Sequence, residues 1–319
     1  PNSTAASRPE WTTTSAGALD LEYVYACSSY NVISQPFSVR MRYCAFQDSL
    51  SISECATALD VEDAHTSQVS AWDSTALTLT SNFAGGTVKN GRFERGNTPG
   101  TSDHSAYIQY CKDLTLDGVQ SGIIQYARSS GLPFALAYCD GVKLKNCRSI
   151  NGNINLTACT KFTAENTDYC DRYTGRTNAT TPYYAFVAGS GCADVKIDGV
   201  TFGFGGAIQD CHPYNGIVQY TASQRVKVRN IGSRSSKLSG GVWAPNVYGP
   251  AYIVNTGGNN NTVKLQRLYL DKVRTAPFNN INSDKNMLYE SVFGGAYVWS
   301  TKALLALVHA DLNGQMKGI

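Results

Sequence analysis

The chain has 319 residues, 42% of them hydrophobic and 16% charged, with a net charge of +3. That apolar content suffices for a substantial core, while so small a charge with no basic run argues against nucleic-acid binding. The longest apolar run, Ala303–Val308, falls far short of the ~18–20 residues of a membrane span, so no membrane insertion is expected.

Residues 1–18 are rich in Ser, Thr and Ala and begin at Pro1. They read as a flexible lead-in, or the remnant of a missing N-terminal domain in a processed or truncated product. Leu19 to Ser81 is irregular and reads as early coils with an elaborated loop rather than a separate domain. A short phrase then recurs: apolar, any residue, apolar, polar, then Asn or Gly. Its copies are Leu114-Thr115-Leu116-Asp117-Gly118-Val119, Val142-Lys143-Leu144-Lys145-Asn146-Cys147, Phe162-Thr163-Ala164-Glu165-Asn166-Thr167, Val195-Lys196-Ile197-Asp198-Gly199-Val200 and Val226-Lys227-Val228-Arg229-Asn230-Ile231. Val263-Lys264-Leu265-Gln266-Arg267-Leu268 follows, with Arg at the Asn/Gly position. Successive copies start 28, 20, 33, 31 and 37 residues apart. Weaker copies begin at Val39, Val88 and Met287. A β-built repeat of this length with variable insertions signals a stacked solenoid. Residues 19–300 are assigned to it, and 301–319 to a C-terminal cap or subunit contact.

Alternation of apolar and polar positions is the period of a strand with one buried face. Gly118, Asn146, Asn166, Gly199 and Asn230 tolerate positive φ and turn the chain between two short strands. Cys111, Cys139, Cys159 and Cys192 each stand three residues before the first apolar residue of their copy, with Ser223 and Asn260 in that place later. Small residues at one corner of each coil indicate an inward stack at a tight bend. Another strand precedes each corner: Tyr107–Tyr110, Phe134–Tyr138, Ile154–Leu156, Tyr184–Val187, Gly216–Tyr220 and Tyr252–Asn255. The expected fold is all-β, a parallel β-helix with irregular coils and long loops on one side. A doubly wound α/β fold needs helices of about ten residues or more between strands. Gaps such as Cys147 to Leu156 are too short and too rich in Asn and Gly. An antiparallel sandwich remains the all-β alternative, without a reason for the fixed offsets.

The chain has ten cysteines. Four at one offset read as small buried thiols, though neighbouring coils also bring such residues within bridging reach. No Cys/His spacing matches a zinc site. Matches to the glycosylation sequon at Asn2, Asn155, Asn178 and Asn260 read as chance, one of them lying in an expected strand.

The copies Val195–Val200 and Val142–Cys147, with their Asn/Gly column, resemble the pectate-lyase-like right-handed parallel β-helix superfamily. Abundant tyrosines and reduced-looking cysteines are most similar to its bacteriophage tailspikes. The resemblance covers about residues 85–295. It implies a homotrimer on a virion tail, or otherwise extracellular, that binds and often cleaves bacterial capsule or lipopolysaccharide chains. Asn166-Thr167-Asp168 matches the Asn-Thr-Asp element of polygalacturonases, which implicates Asp168. Their Asp-Asp and Gly-His-Gly elements and the calcium-binding aspartates of pectate lyases have no counterpart here.

Hydrolysis of a glycosidic bond calls for two carboxyl groups, ~5–5.5 Å apart for retention or ~6.5–9.5 Å for inversion. The column Asp117, Lys145, Glu165, Asp198, Arg229, Gln266 makes neighbours of Glu165 and Asp198, but its mixed signs read as a solvated ladder of compensating charge. The long loops, 94–104, 168–176 and 205–214, lead into one strand column and are expected to wall a groove. The leading catalytic candidates are Asp171 and Asp210, with Asp168, Glu94 and Asp103 in reserve: one protonated acid, one ionised partner. His212 is placed to orient or relay a proton. Arg172, Arg176, Tyr173, Tyr214 and Trp243 are expected sugar contacts, arginine for acidic sugars and aromatics for stacking. Turn-capping, a surface ion network and packing at the loop bases are the alternative roles of these residues.

Three functions stay open. The first is a polysaccharide hydrolase without cofactor. The second is a lyase on uronate-containing glycans, with a basic residue or tyrosine as proton acceptor and calcium as a possible aid. The third is a fibre or adhesin that binds sugars without cleaving them.

Overall fold

A computed structural model describes residues 10–13, 17–26, 30–47, 49–67, 75–95, 104–123, 132–150, 154–171, 184–189, 191–204, 216–221, 226–234, 251–257, 263–270, 278–280, 287–289 and 292–294. Among these residues the chain is all-β, without a helix, and every paired strand runs parallel to its partner. Three ladders account for the strands. The first stacks Glu10–Thr13, Tyr30–Ser34, Leu50–Ser53, Leu77–Thr80, His104–Gln109, Leu132–Ala137, Ile154–Thr157, Tyr184–Ala188, Gly216–Thr221, Ala251–Gly257 and Phe278–Asn280. The second begins with Ala18–Glu22 and Ser38–Arg42 and includes Leu59–Glu62, Gly86–Lys89, Leu114–Asp117 and Lys143–Lys145. The third includes His65–Ser67, Arg92–Arg95, Gln120–Ile123 and Arg148–Ile150. From Thr163–Asp171 through Val263–Leu270 one long strand serves the second ladder with its first half and the third with its second half, and the last rung divides again into Met287–Tyr289 and Val292–Gly294.

Each strand thus bonds to the strand met one circuit later, while its sequence neighbour sits in another ladder. Such long, curled parallel sheets fit a parallel β-helix. The strands anticipated before each corner fall in the first ladder, and the repeated phrase falls in the second. The stretch from Leu19 to Ser81 obeys the same register: Leu19 pairs with Val39, Met41 with Val61, and Gly86 with Leu59. It looks irregular in sequence because Tyr23, Tyr43 and Asp63 hold the corner that Asn and Gly hold later. All three adopt positive φ (54°, 53° and 51°), as do Asn90, Gly118, Asn146, Asn166 and Gly199.

Burial follows the alternation. Leu59, Val61, Val88, Leu114, Leu116, Leu144, Ala164 and Ile197 are buried, and the residues between them are half-buried or exposed. Cys111, Cys139, Cys159 and Cys192 are buried free thiols at the corner between first and second ladders, as are Cys55 before them and Cys44 and Cys147 at the next corner. Each Sγ of Cys111, Cys139 and Cys159 lies 3.5 Å from a carbonyl one rung back, at Leu79, Ile108 and Leu136. Asn82 stands in the same column and replaces sulfur by amide. Its Oδ1 accepts from the Cys55 N–H at 3.0 Å, and its Nδ2 donates to Ile52 O at 3.2 Å.

Burial pushes the Cys147 thiol up to about 12 and that of Cys192 to about 11 from an ordinary 9.0. Both thiols are therefore neutral in the folded chain at pH values where the unfolded chain ionises them. The stability this confers is fully present below pH 9.0 and is lost as pH rises toward 12. The urea midpoint should fall across that range, and Cys147→Ala should make the fall shallower; an unchanged slope in the variant would refute the burial of a neutral thiol.

Candidate functional site

Among the described strands, the longest connections run from the third ladder back to the first. Arg95 is followed by a strand at His104, Ile123 by one at Leu132, Asp171 by one at Tyr184, Phe204 by one at Gly216 and Arg234 by one at Ala251. Second and third ladders are by contrast joined by two residues in the rungs Lys89 to Arg92, Asp117 to Gln120 and Lys145 to Arg148. The candidates Asp103, Arg172, Tyr173, Arg176, Asp210, His212, Tyr214 and Trp243 all fall in the long connections, outside the described residues. Their segments start from the end of the third ladder and return to the start of the first.

Glu94, Asp168 and Asp171 lie on strands of the third ladder rather than in loops. The strand continues through Asp168 because its N–H donates to Cys147 O at 2.9 Å, and Asp171 still pairs in register with Phe204. Glu94 is nearly enclosed. Its Oε1 lies 2.6 Å from Arg92 Nε and accepts from Gln120 Nε2 at 2.7 Å, while Oε2 accepts from Arg92 Nη2 at 2.8 Å. This two-pronged bond to Glu94 raises the Arg92 guanidinium above its ordinary value. Ser105 Oγ donates to Gly122 O at 2.7 Å, and Ser121 Oγ to Pro133 O. These bonds fasten the end of the third ladder to the start of the first beside Glu94.

Asp168 pairs with Arg148, Nε to Oδ2 at 3.2 Å. In register, Arg92 stands opposite Gln120, Gln120 opposite Arg148, and Arg148 opposite Asp168. The four form one outward polar column, each two residues beyond its corner at Asn90, Gly118, Asn146 or Asn166. That fixed offset was the sequence signal for Arg92, Gln120 and Arg148, which the search for carboxylates passed over. Glu94 and Asp168 are three rungs and two strand residues apart, roughly 16 Å at ~4.8 Å per rung and ~3.3 Å per residue, too far for a hydrolytic pair. Asp168 and Asp171 are about 10 Å apart along their strand.

The outer face of the second ladder carries charge that alternates by rung. Glu22 faces Arg42, Arg42 faces Glu62, Glu62 faces Lys89, Lys89 faces Asp117, Asp117 faces Lys145, and Lys145 faces Glu165. Ion pairs follow: Arg42 with Asp60 at 2.6 Å and Glu62 at 3.1 Å, and Lys145 with Asp117 at 3.9 Å. Besides ending at the neutral Gln266 opposite Arg229, the alternation breaks where Glu165 faces Asp198. Lys196 lies between them, 3.8 Å from Glu165 and 4.0 Å from Asp198. Compensation, the expected role of this column, holds even at the break.

From Leu50–Ser53 to Ile154–Thr157 the outward positions of the first ladder carry no charged residue. Its two outward columns read Ser51, Thr78, Tyr107, Ala135, Asn155 and Ser53, Thr80, Gln109, Ala137, Thr157. Among the described residues no group of three or more His, Cys, Asp or Glu side chains forms a metal centre.

No protein-family model matches the chain, and no curated protein matches it.

Arg92 is half-exposed (56%) while the Glu94 side chain is 10% exposed. Arg92→Ala should therefore destabilise the fold by about 1–3 kcal/mol, by leaving a nearly buried carboxylate with a single amide donor. Adding Glu94→Gln should restore much of the loss. Urea titrations of the single and double variants check this, and an additive double variant would deny the coupling.

Proposed function

We propose that this chain is a right-handed parallel β-helix of tailspike type that binds a bacterial surface polysaccharide, capsule or O-antigen, and hydrolyses its glycosidic bonds. One observation supports the reading: between described strands the long connections leave the end of the third ladder and return at the start of the first, and the segments rich in Asp, Arg, Tyr and His belong to these connections. A ribbed face with its reactive groups along one margin suits a polymer better than a small molecule. In this reading Asp171 and Asp210 supply the acid and its ionised partner, with Asp168 and Asp103 alongside and His212 as a relay. Arg172, Arg176, Tyr173, Tyr214 and Trp243 hold the sugar. Glu94, clasped by Arg92 and Gln120, braces the base of the groove. Hydrolysis needs no cofactor.

The test is a panel of capsular and O-antigen polysaccharides, followed for new reducing ends and for near-ultraviolet absorbance together. New reducing ends without absorbance are expected, and Asp171→Asn or Asp210→Asn should abolish them while sparing binding. Absorbance rising with the ends would instead mean a lyase acting through a basic residue, and loss of activity on chelation would add calcium. Binding without either signal would make the chain an adhesin.

The proposed assembly is a homotrimer. Large aromatics stand exposed on the early rungs, Tyr23, Tyr25, Phe37 and Tyr43 among them, and open ladder ends invite pairing. Sedimentation equilibrium should give about three times 34.4 kDa; the monomer mass would rule the trimer out.

A further inference from the structure

The corner between first and second ladders is a column in which each N–H donates to the carbonyl before the next corner. Ser81 donates to Gln109, Tyr110 to Ala137, and Tyr138 to Thr157. In this order the column reads Gln35, Glu54, Ser81, Tyr110, Tyr138, Ala158, and all six adopt positive φ between 49° and 56°. Gly191 follows, with φ of 81°. An ideal Cβ on it would lie 3.3 Å from Ala158 Cα and Cβ. An L residue in this region costs roughly 1–2 kcal/mol, and a bulky one is rare there. In the same rungs the corner at the other end of the second ladder uses Gly118, Asn146, Asn166 and Gly199, although Tyr23 and Tyr43 hold that corner earlier in the chain and stack as well. Here the chain keeps two tyrosines.

Their rings stack, with centroids 5.1 Å apart and planes 14° from parallel, yet they remain 45% and 52% exposed. Ring faces in such a stack point along the ladder. Beyond Tyr138 the column offers Ala158 and then Gly191, two rungs or roughly 10 Å in which no described side chain of the column can cover the ring. Among the described residues of the column, none supplies a further ring over Tyr138.

The chemistry beside it is neutral. Tyr107, Gln109, Asn155 and Thr157 face outward on the adjoining strands, offering hydroxyl and amide groups that both donate and accept. Two residues beyond the tyrosines, Lys112 faces Asp140 across the ladder, and Asp140 accepts from Thr160 Oγ1 at 2.7 Å and pairs with Lys161 at 3.5 Å.

We infer that Tyr138, backed by Tyr110 and opening over Ala158 and Gly191, is a subsite that stacks one pyranose of an uncharged glycan lying on the outer face of the first ladder. The inference rests on the polysaccharide reading above and makes it specific: the repeat carries neutral sugar at this position, held by ring stacking and hydroxyl bonds rather than by arginine. Tyr110 is a positioning residue, since its ring supports Tyr138 from behind.

The test uses the full chain with two sets of defined hexasaccharides, neutral gluco-, manno- and galacto-oligomers and their uronate counterparts, titrated calorimetrically. The unmodified chain should bind at least one neutral hexamer. Tyr138→Ala should weaken that binding about tenfold or more, and Tyr138→Phe should retain it. Ala158→Tyr fills the opening with a ring at a corner that already admits tyrosine, and should weaken binding as much while leaving the fold intact by circular dichroism. Neutral binding unaffected by Ala158→Tyr, or binding confined to uronates, overturns the subsite. A polysaccharide bound and cleaved with no response to either variant overturns the subsite but leaves the polysaccharide reading standing. No binding or cleavage of any glycan in either panel removes both.

Discussion

Hydrogen bonding that continues through the corners holds this structure in register. Parallel strands bond rung to rung, and the bonds do not stop where the strands do. Tyr23 N–H donates to Arg42 O, Tyr43 to Glu62, Asp63 to Lys89, Asn90 to Asp117, Gly118 to Lys145 and Asn146 to Glu165. A corner residue can do this only in the left-handed region, so the positive φ is part of the bonding pattern. With corners locked, a strand cannot slip by one residue, a slip that would turn every apolar side chain outward. Each position is thereby stacked on its own equivalent in the next rung.

Stacking like on like has consequences that differ by position. Inside, it favours short side chains at the bends, and cysteine or asparagine serves because each also finds a carbonyl one rung back. Outside, it would place like charges about 4.8 Å apart, so the second ladder alternates sign from Glu22 to Glu165. A single shift of one rung would bring acid onto acid along the whole face. The alternation therefore disfavours misregistered stacking beyond the small worth of each exposed pair. Asn146 and Asn166 contribute at the corner itself: Asn146 Nδ2 donates to Asp117 Oδ1 at 2.8 Å, and Asn166 Nδ2 to Asn146 Oδ1 at 3.5 Å.

The second ladder and its Asn/Gly corner were legible in sequence because they repeat in residue type as well as in geometry. The first ladder was legible from the small residue that follows it. The early rungs were not, although they bond in the same way. Their corners are filled by Tyr23, Gln35, Tyr43 and Glu54, residues that no sequence rule places at positive φ and that the ladder holds there. The site was less legible still. Carboxylates were sought by chemical type, and strand was mistaken for loop at Glu94, Asp168 and Asp171, because third-ladder strands carry polar residues such as Arg92, Glu94 and Asp168 on their outer side. Arg92, Gln120 and Arg148 emerge only when position is counted from the corner. Tyr110 and Tyr138 emerge only when their rings are seen to stack at the corner.

The outer faces of this fold differ in what they leave available to a ligand. The second ladder's charges are spent on one another; a charged ligand would have to compete with a partner already within 4 Å, as at Arg42 or Lys196. The first ladder has no such internal pairing to displace, and its Ser, Thr, Asn and Gln side chains repeat at the rung spacing. Repetition alone gives a polymer no address, because every rung offers the same contacts. Register on a long chain must come from the positions where the repeat fails. On the described surface those are the tyrosine pair that ends in Ala158 and Gly191, and Glu94 in its clasp of Arg92 and Gln120. Both border the first ladder, one at each margin, so a chain lying along that face would meet a stacking ring on one side and, on the other, the braced base from which the long connections begin.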